Sequence, residues 1–200
     1  MKKFRVVSLL MILMFPMTLI ADTAVLNNTS VLVNTPTTAL QSMVNNLIAM
    51  VADKTINELQ KKQGLENILH ESVDFESLSR RIISKAWKKS TKEDQQDFKD
   101  RFQDIMVNTY FGLLQNYSNE EVVFGKEQLK KNKYAIVDTK IISGSKKISV
   151  RYRLINTKLG WKIYDFIPEG ISMVASYKKN YASVLRKKGL SGLIVEMDKN

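Results

Sequence analysis

Residues 134–167, YAIVDTKIISGSKKISVRYRLINTKLGWKIYDFI, decide the fold. In their middle, Ile148, Val150, Tyr152 and Leu154 alternate with Ser149, Arg151 and Arg153. That period of two puts the apolar side chains on one face of a strand and the polar ones on the other. Residues 134–143, 147–155 and 160–167 each read as a strand. The turn Ser143-Gly144-Ser145 and the loop 156–159 are short enough to join antiparallel neighbours. Such a sheet has one wet face and one apolar face, and the apolar face needs a cover.

The cover is read from the flanking sequence. Thr35 before Pro36 is an N-cap followed by a helix-starting proline. Leu40, Met43, Val44, Leu47, Val51 and Leu59 then recur at helical spacing, predicting one long helix up to Gly64. A short helix is expected over 65–70, and Asp74 caps a helix with Phe75, Leu78, Ile82 and Trp87 on one side. Ser90 and Glu93 read as a capping box. The strongest helical stripe of the chain follows it: Phe98, Phe102, Ile105, Met106, Tyr110, Leu113, Leu114 and Tyr117. After Pro168 a helix is expected from about 170 to 188, with Gly189 as its C-cap and a short helix over 191–198. Helices, antiparallel sheet, then helices make an α+β fold, with helices covering one side of a curved sheet.

The N-terminus differs in kind. Lys2, Lys3 and Arg5 precede an uncharged stretch from residue 6 to 20, and Ala21 is a small residue suited to cleavage. This reads as a signal peptide over 1–21, because the apolar run falls short of the ~20 residues a spanning helix needs. Residues 22–34 read as a flexible mature N-terminus and 35–200 as a single domain. Export would place the mature chain in the periplasm. Losing three signal cations takes the formal charge from +11 to +8. An excess of that size suits an anionic partner, and export makes nucleic acid the poorest candidate.

Catalytic chemistry is thinly represented. With no cysteine, the 200-residue chain has no disulfide, thiolate metal ligand or thiol nucleophile. Its single histidine, His70, stands too close in sequence to Ser72 and Asp74 for the three to converge as a triad. Glu120 and Glu121 are adjacent and diverge, and no glycine-rich phosphate loop is present. No catalytic residue, metal site or cofactor is assigned, and the residues point to binding.

The ordered combination of Trp161-Lys-Ile-Tyr164-Asp165, Glu169-Gly-Ile-Ser172 and Leu185-Arg-Lys-Lys-Gly189 closely resembles the MlaC family, the toluene-tolerance auxiliary proteins. Asp74-Phe75, residues 87–90 and the stripe from Phe98 through Tyr110 to Leu114 extend the resemblance over about 38–195. It implies a non-enzymatic periplasmic phospholipid carrier, expected as a monomer. Its partners would be an outer-membrane lipoprotein complex and an inner-membrane ABC transporter complex, and its action would maintain outer-membrane lipid asymmetry. The implied fold is an α+β cone around an apolar pocket that takes the acyl chains. Two such chains carried bare in water would cost on the order of 20 kcal/mol, so a carrier has to enclose them.

The inward residues of the sheet and the aromatic faces opposing it are the candidate lipid-binding residues. They are Val150, Tyr152, Leu154, Ile163, Phe166, Ile171, Met173, Val174 and Tyr177, with Phe102, Met106, Tyr110, Leu113 and Leu114. Two other readings compete with the carrier: a periplasmic adaptor that binds protein through its surface and has a collapsed cavity, and a small hydrolase on the same scaffold.

Overall fold

The computed structural model describes residues 34–198, apart from 116 and 118. The expected signal segment and residues 22–33 lie outside the described residues. The elements run α1 (Pro36–Ala52), α2 (Glu58–Ser72), α3 (Phe75–Lys89), α4 (Lys92–Leu114), β1 (Glu121–Lys130), β2 (Tyr134–Ser143), β3 (Lys146–Thr157), β4 (Gly160–Pro168) and α5 (Met173–Met197). The strands form an antiparallel meander in the order β1-β2-β3-β4, so the fold is α+β.

Register assembles the apolar face row by row. Val137, Tyr152 and Phe166 stand opposite one another across β2, β3 and β4, and so do Ala135, Leu154 and Ile163. On β3 the sequence alternation holds from Val150 to Leu154. It breaks at Ile155, which is also buried. Opposite this point, Arg153 pairs with Asp165 and Leu154 with Ile163, leaving Tyr164 as the extra residue of a bulge. The bulge rephases β4, so that Ile163 and Phe166, three apart in sequence, both join the apolar rows. The polar face carries ion pairs: Arg151 Nε lies 2.7 Å from an Asp138 oxygen, and Arg153 lies 3.2 Å from Asp165.

Three sequence expectations need correction. The long helix over 35–64 is two helices. Asp53 Oδ1 accepts hydrogen bonds from the Thr55 amide (2.7 Å) and hydroxyl (2.6 Å), an Asx turn that diverts the chain. Asn57 and Gln60 then cap α2 reciprocally, and Leu59, counted on the apolar stripe, is 65% exposed. The capping box before α4 is Thr91 with Asp94, one residue beyond Ser90 and Glu93. A fourth strand, β1, lies beside the expected three; its alternation is broken by a bulge around Gly125 and Lys126.

The helices pack over the apolar face and on one another, α1 with α2, α3 with α5, and α4 with both α3 and α5. The α2–α3 junction is tied to the sheet, because Val73 bridges Ile163 and the Asp74 amide donates to the Ile163 carbonyl at 2.8 Å. The core runs from Leu40 on α1 through Leu65, Ile82, Phe98 and Phe102 to Leu154 and Leu193, all at most 2% exposed. No helix among the described residues is long and apolar enough to cross a membrane.

Candidate functional site

The apolar rows of the sheet meet an aromatic seam between α4 and α5. On α4, Phe98 and Phe102 are one turn apart and stack at 5.8 Å between ring centroids. On α5, Tyr177 and Tyr181 are likewise one turn apart, and each meets α4 edge-on: Tyr177 against Phe102 at 4.9 Å and Tyr181 against Phe98 at 6.2 Å. One more turn along α4 than Met106, Tyr110 reaches the sheet and packs edge-on to Phe166 at 5.5 Å, beside Tyr152.

The fourteen candidates do not share one environment. Phe102, Met106, Val150, Leu154 and Ile163 are buried. Tyr110, Leu114, Tyr152, Phe166, Val174 and Tyr177 are half-buried and pack against the core, and Met173 is half-buried at the start of α5. Val150 is buried at the far end of the sheet, opposite Thr139 and Pro168, whose row lies outside the main core cluster. Leu113 and Ile171 are 50% and 59% exposed and lie outside the seam. Ile171 follows a tight turn in which Glu169 and Gly170 both take positive φ, and that turn swings it outward. Sequence reasoning left out Tyr181 and Val137. The four-residue spacing from Tyr177 was a usable signal for the first, and strict alternation along β2 for the second.

Asp165 holds the seam together. Its carboxylate, 1% exposed, accepts from the Ser172 hydroxyl at 2.8 Å, the Val174 amide at 3.1 Å and Arg153 at 3.2 Å. It thereby binds β4 to the N-terminus of α5, where a negative charge also suits the helix dipole. This fixes where Val174, Tyr177 and Tyr181 enter the interior.

Beside the seam lies a crevice of about 740 Å³ with a cationic rim: Arg80, Arg81, Lys85 and Lys88 from α3, Lys178 from α5 and Arg153 from β3. The Arg81 guanidinium sits 4.1 Å over the Tyr164 ring. Val174 belongs to both this crevice and the apolar packing behind it. A neighbouring groove of about 640 Å³ runs between α3 and α5 past Ser84 and Gly189. A cation-lined recess abutting an apolar interior suits an amphiphile whose charged end stays near water. Among the described residues no cluster of His, Asp or Glu is arranged to hold a metal.

Comparison with known proteins gives a consistent result. The MlaC protein family matches residues 41–199. The intermembrane phospholipid transport system binding protein MlaC of Haemophilus influenzae is 24% identical over 171 residues, covering 77% of this chain and 80% of that protein. The toluene tolerance protein ttg2D of Pseudomonas putida is 26% identical over 128 residues, 63% of this chain and 60% of the relative's length. A solved structure of a phospholipid-binding protein from Ralstonia solanacearum, in complex with a phospholipid, shares the fold with a TM-score of 0.75. Its identity is 23%, over 81% of this chain and 94% of that one. Taken with a family match that spans most of its length, the architecture places this chain in the MlaC family.

Proposed function

We propose that this protein is a non-enzymatic periplasmic carrier that binds phospholipid and shuttles it between an outer-membrane lipoprotein complex and an inner-membrane ABC transporter complex. The observation that carries the reading is the junction at Val174, where an apolar, aromatic interior abuts a crevice rimmed by six cations. Acyl chains belong in the first and a phosphate near the second. Burying the tails offsets about 0.8 kcal/mol per methylene, while a phosphate kept near water and cations avoids a desolvation penalty of several kcal/mol. The relatives support this, since one is a phospholipid transport binding protein by name and another is a phospholipid-binding protein solved with its lipid.

The ring contacts across the seam favour one alternative, an adaptor whose interior is filled by its own side chains. For the carrier, loading requires the α4 and α5 rings to part. Organic extraction and mass spectrometry of protein taken directly from its native compartment separate the two readings. Stoichiometric phospholipid is the expected result, and lipid-free protein would establish the adaptor instead. Leu114→Asp and Met173→Asp should each be exported but lipid-poor; full lipid content in both would move the chamber elsewhere.

A further inference from the structure

In an antiparallel meander the β1–β2 and β3–β4 turns lie at the same end of the sheet, here two strand spacings or about 10 Å apart. Both turns are held in a defined shape. Lys131 and Asn132 take positive φ and the Lys133 amide donates to the Lys130 carbonyl at 3.2 Å, the type I′ geometry of a tight hairpin. At the second turn the Thr157 hydroxyl donates to the Gly160 carbonyl at 2.8 Å and accepts from the Leu159 amide at 3.1 Å. The Asn156 amide donates to the Lys133 carbonyl at 2.8 Å, which ties the end of β3 to the first turn. Leu159 is 82% exposed at the tip of the second turn. Leu129 continues the apolar row of Ala135, Leu154 and Ile163 onto β1, where it is 54% exposed. Around these two leucines stand Lys130, Lys131, Lys133 and Lys158, all exposed, and half-buried Lys162 beside Trp161. Neither 128–136 nor 155–163 contains an acid. Of the acids on flanking segments, Glu127 is engaged at the start of α1, where it accepts from the Thr37 amide at 2.9 Å, and Glu71 lines the small recess behind Leu159.

We propose that this end of the sheet docks on the surface of an anionic lipid bilayer. All five cations of the two stretches are lysine. A single phosphate group is gripped best by planar arginine forks, of which the crevice has three, whereas a diffuse anionic surface needs only point charges. Each lysine brought near such a surface strengthens binding about fivefold. Lysine is depleted where proteins meet proteins, and a pair of exposed leucines gains nothing against a nucleic acid backbone. A bilayer interface uses both kinds of residue: leucine side chains enter the headgroup region while lysine stems lie along them and keep their ammonium groups in water. Trp161 and Tyr134 bring rings of the kind that settle at that depth. Tyr134 also links this end to the crevice, since Lys133 Nζ lies 5.8 Å from its ring centre, the Tyr164 ring packs edge-on to it at 5.9 Å, and Arg81 covers Tyr164. The inference goes beyond the carrier reading and stands without it, because nothing in it requires lipid inside the protein.

The test is flotation, at low salt, of protein taken from its native compartment with vesicles of phosphatidylcholine alone or of phosphatidylcholine mixed with phosphatidylglycerol. Wild type should float with the mixed vesicles and stay behind with phosphatidylcholine alone. Lys130→Glu with Lys158→Glu should weaken binding to the mixed vesicles at least about twentyfold, the loss of two lysine contributions. Leu129→Ser with Leu159→Ser should weaken it about tenfold while leaving the charge unchanged. All four side chains are exposed and lie outside the core, so both variants should keep the unfolding midpoint and lipid content of wild type. The two variants act through different chemistry, so a folding defect in one leaves the other to decide. Flotation of wild type with neither vesicle, or equally with both, would overturn the proposal. Variants that float like wild type would assign the contact to another basic surface and overturn it as well. Lipid-loaded protein that ignores vesicles removes the docking alone, and lipid-free protein that floats removes the carrier alone, so the two failures are told apart.

Discussion

Tyr152 stands between Val137 and Phe166 on the apolar face, and burial pushes its pKa up to about 12. An unfolded tyrosine titrates near 10. The folded state therefore favours the neutral phenol. Its contribution to stability is fully present below pH about 10 and is lost as pH rises through 12. The free energy of unfolding, measured by urea titration from pH 9 to 12, should fall more steeply in wild type than in Tyr152→Phe. Parallel profiles would show that the phenol is no better protected in the fold than in the open chain. At this scale the placement of many candidate residues in the fold was legible. Tyr152 and Leu154 sit on the face that alternation assigns them, and Phe102, Met106 and Tyr110 follow the helical period. Ile171 and Leu113 were misjudged because periodicity carries no information about where an element stops: one follows a positive-φ turn and the other is on the last turn of α4. Asp165, which reads as one polar residue in a strand, could not be recognised as the anchor of α5, because its partners Ser172 and Val174 come together only in three dimensions.

Among the elements, α5 is one of two helices interrupted by a residue of non-helical backbone. Gly189 interrupts it with φ 68° and ψ −169°, a conformation that belongs essentially to glycine. The break lets the first half present Val174, Tyr177 and Tyr181 to the seam while the second buries Leu190, Leu193, Ile194 and Met197. A Cβ at position 189 would meet nothing within 4 Å, so the cost of Gly189→Ala is backbone strain and not collision. Destabilisation of about 1–3 kcal/mol is expected in denaturant titration. Gly112, within helix α4 and also unobstructed, provides the contrast: Gly112→Ala should stabilise by about 0.5–1 kcal/mol. If both changes move stability in the same direction, the kink is not what holds Gly189 in place. The same element-level view explains the boundaries that sequence reading missed. The α1–α2 break depends on a single Asx turn at Asp53, inside an otherwise continuous apolar period. β1 hides its alternation behind a bulge that includes a glycine. β2, β3 and β4 were readable because their alternation runs unbroken for most of their length.

For the whole molecule the deciding quantity is charge. The chain carries a formal +11, and the cations of Arg80, Lys85, Lys88 and Lys178 are exposed around one recess. Its buried acid, Asp165, is already paired with Arg153 and so does little to neutralise the others. Like charges gathered at one site raise the local potential, which speeds encounter with an anionic surface and is screened over about 8–10 Å at ordinary salt. If the carrier docks through this recess, transfer of lipid from anionic donor vesicles should slow by about tenfold or more between 50 mM and 500 mM salt. Arg80→Glu with Lys88→Glu should slow transfer at low salt and flatten that dependence. Both side chains are exposed on α3, away from the aromatic seam but on the rim of the crevice beside which the phosphate is proposed to lie, so the lipid content of the purified variant is measured alongside transfer. The pairing of these two readouts matters: a fall in transfer with lipid content intact places the cations in docking, whereas a fall in both would place them at the bound headgroup. Transfer that ignores salt in wild type would mean that the net charge serves solubility alone, and that encounter is driven by apolar contact.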